Sequence, residues 1–274
     1  MYHAMRMSNF TECAVKLVTP TQQLEHMIGP RLIREEAKAL QGMSNEHVVK
    51  CYGTGTGTLR MFHDDSGKKC ASRAKTPARY LALEYFSGGS LLQAIWDGRT
   101  RSRSFTKRVF KDLVETLGYI HGRGLAHRDI KPENVMFDKN LRTAFIDFGL
   151  VCPAGGRHSA DLCYEVAGSH LYWAPELYHI AYPYGYIPAL ADIYALGLTL
   201  FEMIYGFAPF YRPLPWWGVD MFQRTEFWDE TARRSGVEAD PLANDLLGWM
   251  LMPNALHRPA PAGVLKHPWL ATIE

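Results

Sequence analysis

The sequence predicts an α+β fold in two lobes, a β-rich N-lobe and a helical C-lobe, and three observations predict it. The 274 residues are about 1.8 times the ~150 of a typical domain, room for one large two-lobed domain or two small ones. With 47% hydrophobic and 21% charged residues, the chain has the composition of a globular protein that buries roughly 70 to 75% of its unfolded surface. Strand-like runs dominate the first third, and helical periodicity dominates after Ser87-Gly88-Gly89-Ser90.

Taken in order, Glu12 to Val18 is β-branched and apolar around one lysine, which predicts a strand buried on both faces with Lys16 inside. Pro30 suits the first turn of a helix whose inward face is Ile33, Ala37 and Leu40. Glu36 falls on that same face. A carboxylate on an apolar stripe is costly unless paired, and Lys16 has the same difficulty, so the two are expected to meet. Gly53 to Thr58 alternates Gly and Thr; no helical pattern follows, so it reads as a turn or strand end rather than a phosphate cradle. Residues 63–79 are polar and basic and read as an exposed hairpin loop or insertion before the apolar strand Tyr80 to Leu83, with a regulatory or partner role left open. Ser87 to Ser90 is a turn and helix cap. The basic run Arg99 to Ser104 reads as a solvated loop ahead of a helix from Phe105 to Ile120, and a loop-rich stretch lies between about Leu125 and Pro175. The apolar run Ile193 to Phe210 is barely long enough to span a membrane, follows Asp192 and contains Glu202, Gly206 and Pro209; it reads as a buried core helix.

A net charge of +2 does not make nucleic acid the default partner. Five cysteines with no C-x-x-C pair suggest neither a disulfide framework nor a zinc site. No secretory leader is visible at the N-terminus, so the chain is expected to be cytoplasmic or nuclear, without a membrane partner.

The decisive signal is His127-Arg128-Asp129-Ile130-Lys131-Pro132-Glu133-Asn134, followed thirteen residues after Asn134 by Asp147-Phe148-Gly149. One loop presents a base, a cation and a metal-binding amide, and a second supplies a carboxylate, an inventory suited to phosphoryl transfer. These residues resemble the catalytic loop and magnesium motif of the eukaryotic protein kinase family. The resemblance runs from Ala14-Val15-Lys16 to His267-Pro268-Trp269-Leu270, an ending similar to the calcium/calmodulin-dependent and related groups.

The resemblance implies a protein kinase fold with residues 1–83 as N-lobe, 84–86 as hinge and 87–274 as C-lobe, and the cofactors ATP and Mg²⁺. It implies a nucleotide site formed by Ala14, Lys16 on the α- and β-phosphates, Glu36 as the partner of Lys16, backbone groups of Glu84 and Phe86 on adenine, and Met136 beneath the base. Asp129 would orient the substrate hydroxyl or accept its proton, Lys131 would stabilise the transferring phosphoryl group, and Asn134 and Asp147 would bind Mg²⁺. Lys131, two residues after Asp129, is typical of Ser/Thr kinases, so the implied substrate is a protein serine or threonine. Ser169 falls where the family contacts the substrate hydroxyl region, Glu176 should pair with Arg258, and Asp192 should brace the catalytic loop. Glu133 matches a position that in basophilic relatives receives a substrate arginine.

Two departures stand out. Only fifteen residues precede Lys16, so the family's first strand and glycine-rich loop are expected to be missing: either the sequence is truncated upstream or the protein works without that phosphate lid. The alternative function is then a pseudokinase scaffold with weak or no turnover. Second, Glu165 stands where related kinases carry a phosphorylated threonine; its carboxylate either partly mimics that phosphate on Arg128 or is a solvated loop glutamate. Ser159 and Tyr164 are alternative modification sites.

Overall fold

The computed structural model describes residues 2–6, 11–18, 28–59, 76–155, 162–179, 184–209 and 220–271. Residues 63–75 of the basic insertion, and Ser159, lie outside the described residues. The chain divides into two compact units: Met1–Ser44 with Val49–Ser87, and Asn45–Val48 with Gly88–Glu274.

The first unit is an antiparallel sheet of β1 (Tyr2–Arg6), β2 (Thr11–Val18), β3 (Cys51–Leu59) and β4 (Thr76–Glu84), in the order β1-β2-β4-β3, with helix α1 (Ile28–Gln41) against β3 and β4. Register places Ala14 opposite Leu83 and Lys16 opposite Leu81. Leu81 and Leu83 are fully buried, as are Ile33, Ala37 and Leu40 on the facing side of α1, so the helical spacing read from the sequence holds.

Two expectations fail here. β2 is not buried on both faces: only Cys13 is buried, because a four-stranded sheet with one helix leaves much of its second face to solvent. The Gly-Thr alternation, Gly53 to Thr58, is not a turn but the body of edge strand β3. Its β-branched threonines suit a strand, and Gly55 leaves room for the Tyr80 ring, whose hydroxyl would lie 2.9 Å from an added Cβ. Likewise β4 begins at Thr76, so residues 76–79 belong to the strand rather than to the loop before it.

The second unit contains α2 (Leu91–Trp96), α3 (Arg103–Gly122), α4 (Pro175–His179), α5 (Pro188–Tyr205), α6 (Thr225–Ser235), α7 (Pro241–Met250), α8 (Pro261–Val264) and α9 (Pro268–Ala271), with short strand pairs β5 (Leu125–Ala126) to β8 (Cys152–Pro153) and β6 (Val135–Phe137) to β7 (Thr143–Phe145). Helix α3 starts earlier than the periodicity suggests because Ser102, inside the basic run, caps it by accepting the Phe105 N–H, and Arg103 pairs with Asp240 at 2.8 Å. At the centre is α5, opened by Pro188 and closed by Gly206 in the left-handed conformation. It is the one described helix apolar and long enough to cross a membrane, and 83% of it is buried inside the unit, as a core helix should be. Gly197 lets α7 approach: a Cβ there would sit 2.9 Å from Leu251 Cδ2.

Candidate active site

In the first unit, Lys16 and Glu36 meet as the apolar-face argument requires. Lys16 Nζ lies 2.9 Å from Glu36 Oε2; the carboxylate is 1% exposed and the lysine 32%. Ala14 lies two residues before Lys16 on β2, and Glu84 closes β4, where its N–H donates to Lys50 O at 2.9 Å. Phe86 follows, buried, in the irregular stretch after the strand.

In the second unit the loop after β5 is built around Asp192 of α5. The buried Asp192 carboxylate accepts the backbone N–H groups of His127 and Arg128, each at 2.8 Å, and His121 Nε2 at 3.0 Å. Charge-assisted bonds to two successive amides fix the loop where Arg128 adopts φ 67°, a conformation that costs a side-chain-bearing residue and so needs such an anchor. The fully buried His127 ring donates from Nε2 to Ile146 O at 3.1 Å and accepts the Asp129 N–H at Nδ1, which sets its tautomer. Burial pushes its pKa down, so the ring is neutral. Phe148 packs edge-on against it at 4.8 Å, and Ile146 N–H donates to Asn134 O at 2.9 Å, tying the two motif loops together. Asp147, which opens the second motif two residues after β7, carries φ 60°.

Around Asp129 the donors converge. Its Oδ1 accepts Ser169 Oγ at 2.8 Å and Ser169 N–H at 3.0 Å; its Oδ2 accepts Asn134 Nδ2 at 2.8 Å and lies 2.9 Å from Lys131 Nζ. Lys131 Nζ also donates to Ser169 Oγ at 2.6 Å. Burial alone would raise the Asp129 pKa, but the Lys131 contact, then Ser169 and Asn134, outweigh it and hold the carboxyl below the usual range. Asp129, Lys131, Asn134 and Ser169 thus form one cluster, whereas Met136 is placed separately on β6, opposite Ala144.

Asn134 spends its amide nitrogen on Asp129, through both the side chain and the backbone carbonyl, which leaves its amide oxygen as the atom to offer a cation. An amide oxygen and the Asp147 carboxylate are hard donors, and Mg²⁺ characteristically takes few protein ligands alongside phosphate oxygens, so this donor set fits it. Among the described residues no larger His/Cys/Asp/Glu group is arranged for a metal.

Of the two readings of Glu165, the structure bears out the solvated one, and the phosphate mimicry by its carboxylate does not occur. Arg128 Nη2 donates to the Glu165 backbone carbonyl at 2.8 Å, while the Glu165 side chain is exposed. Sequence reasoning missed Tyr186, and it placed Gly168 at the head of the run ending in Glu176 without seeing what that glycine does. Gly168, at φ 92°, approaches so closely that a Cβ would meet Arg128 O at 2.2 Å. The Glu176–Arg258 pair is present and buried, bidentate at 2.6 and 2.7 Å.

A family model of the protein kinase domain matches residues 1–270. The chain belongs to the protein kinase family. Similar proteins include CBL-interacting protein kinase 1 of Oryza sativa subsp. japonica, 32% identical over 78% of this chain and 44% of the relative. CBL-interacting protein kinase 17 of the same species is 30% identical over 86% of this chain and 46% of its own. The maternal embryonic leucine zipper kinase of Danio rerio is 32% identical over 65% and 23%. The chain therefore spans under half the length of these relatives.

Proposed function

We propose that this chain is the catalytic domain of a protein serine/threonine kinase that transfers the γ-phosphoryl group of ATP to a serine or threonine hydroxyl. The observation that carries the reading is the Asp129–Lys131–Ser169 cluster on a loop anchored to Asp192, in a chain of the protein kinase family. A carboxylate held below its ordinary pKa is a weak base, so Asp129 acts chiefly by orienting the substrate hydroxyl and takes its proton late. Lys131 places a cation where negative charge develops, without reorganising. Mg²⁺, held by Asn134 and Asp147, would supply charge neutralisation on the phosphates. Family membership supports Lys16, oriented by Glu36, as the ligand of the α- and β-phosphates, with Ala14, Glu84, Phe86 and Met136 around the base. The Ser/Thr preference rests on Lys131 and on the relatives.

A basic substrate residue is the finer reading. Glu202, buried in α5, has its pKa pushed up to about 7, first by burial and further by the nearby Glu133 charge. The Tyr172 hydroxyl donates to it at 2.6 Å. A substrate guanidinium would relieve both carboxylates, so peptides with an arginine before the acceptor should be preferred. The test is transfer of labelled phosphate from ATP and Mg²⁺ to serine, threonine and tyrosine peptides with and without that arginine. Asp129→Asn should lower kcat by about 10² to 10⁴. Equal rates for Asp129→Asn and the parent would sink the proposal.

A further inference from the structure

Three donors converge on one oxygen next to the site. The Glu165 backbone carbonyl accepts Arg128 Nη2 at 2.8 Å, the Tyr186 hydroxyl at 3.2 Å and, more weakly, the Cys163 thiol at 3.4 Å. Tyr186 is 4% exposed. Cys163 and Tyr186 are themselves bridged by two reciprocal backbone hydrogen bonds, each 2.9 Å. The oxygen is therefore held by donors from the catalytic loop, from the stretch ahead of α5 and from its own segment.

The chemistry around the Arg128 guanidinium is neutral. Among the described residues it forms no ion pair with a carboxylate, Asp192 being engaged with backbone amides. What faces it is the carbonyl, the Tyr186 hydroxyl and the Cys152 thiol, whose pKa burial pushes up to about 12. Four residues after Glu165, Ser169 is bonded to Asp129, and between them Gly168 lies against the Arg128 carbonyl. The span 165–169 is thus pinned at one end by Arg128 and Tyr186 and at the other by the putting-in-place of Asp129 itself, so a loosened clamp moves the groups that orient the substrate hydroxyl.

We propose that Tyr186 is a positioning residue of the catalytic loop, and that its hydroxyl, with Arg128, closes a clamp on the Glu165 carbonyl that holds residues 165–169 against Asp129 with no phosphate on that segment. This rests on the kinase reading above. Tyr186→Phe in the full chain keeps the ring and withdraws one donor. The expected result is a fall in kcat of about threefold to tenfold, the range a single neutral hydrogen bond supplies. KM for ATP should hold, the melting temperature should fall by no more than a few degrees, and amide hydrogen exchange across residues 162–169 should quicken. Phosphatase treatment of the parent should leave its rate intact.

Unchanged kcat and exchange in Tyr186→Phe would overturn the positioning role, and a rate abolished by phosphatase would overturn the phosphate-free clamp. If the parent shows no phosphotransfer, the kinase reading fails separately, and the exchange comparison still decides whether the clamp exists. Should Tyr186→Phe not fold, Cys163→Ala withdraws the third donor from the same oxygen and should give the same pattern at about twofold.

Discussion

Asp129 and Glu202 are both largely shielded from water, yet their pKa values move in opposite directions. Asp129 collects donors from Lys131, Ser169 and Asn134 and stays ionised, whereas Glu202 has one tyrosine hydroxyl against the cost of burial and rises to about 7. The sign of the linkage follows. A folded pKa above the unfolded value means that the unfolded chain releases this proton first as pH rises, so the contribution of Glu202 is full below about 4.5 and is lost between there and about 7. The parent should lose up to ~3 kcal/mol more stability across that window than Glu202→Gln does, measured by denaturant unfolding at a series of pH values. Parallel pH profiles would refute it. At this scale the motif residues were legible because their chemistry lies in short contiguous runs. Glu202 registered in the sequence only as the lone charge in an apolar helix, and Tyr186 gave no signal, since its partner is a backbone carbonyl that any residue carries.

At the scale of elements, the catalytic loop has little regular structure of its own and borrows rigidity from α5 through Asp192, while α4 is tied down by Glu176 and Arg258. Arg258 is fully buried, chelates Glu176 with both terminal nitrogens, donates to the Met252, Leu190 and Pro253 carbonyls and stacks over the Tyr194 ring at 4.9 Å. Arg258→Met would strand a buried carboxylate and should cost about 3 to 5 kcal/mol. The double variant with Glu176→Leu should recover only part, because the three carbonyls still lack their donor; thermal melts of both would show it, and full recovery would mean the pair alone matters. Helices α1, α3 and α5 were readable from their apolar period, though α5 begins at Pro188 and ends at Tyr205, five residues ahead of the run read from Ile193 to Phe210 at each end. β3 was not, because glycine is a poor strand former in isolation and only the Tyr80 ring across the ladder explains its glycine at 55. The helix cap inside the basic run was masked by its flanking arginines, where charge hid the Ser102 side chain that starts α3.

For the whole molecule, the units have separate buried cores, one under α1 and one around α5, and nucleotide binding reports on the folded protein without knowledge of its substrate. A ligand that binds only the folded form at about 100 times its dissociation constant stabilises by about 2.7 kcal/mol. For a domain of this size that is a shift of roughly 5 to 10 °C. ATP with Mg²⁺ should therefore raise the melting temperature by that amount. Asp147→Asn, which keeps the shape and removes the charge, should abolish the magnesium-dependent part, because an amide is a far weaker ligand for a hard divalent cation than a carboxylate. Lys16→Met should weaken the nucleotide effect with or without metal, since the lysine is assigned to the phosphates and not to the cation. A shift that survives in Asp147→Asn at every magnesium concentration would remove Asp147 from the metal site while leaving nucleotide binding in place, and no shift in the parent would count against a competent nucleotide site altogether.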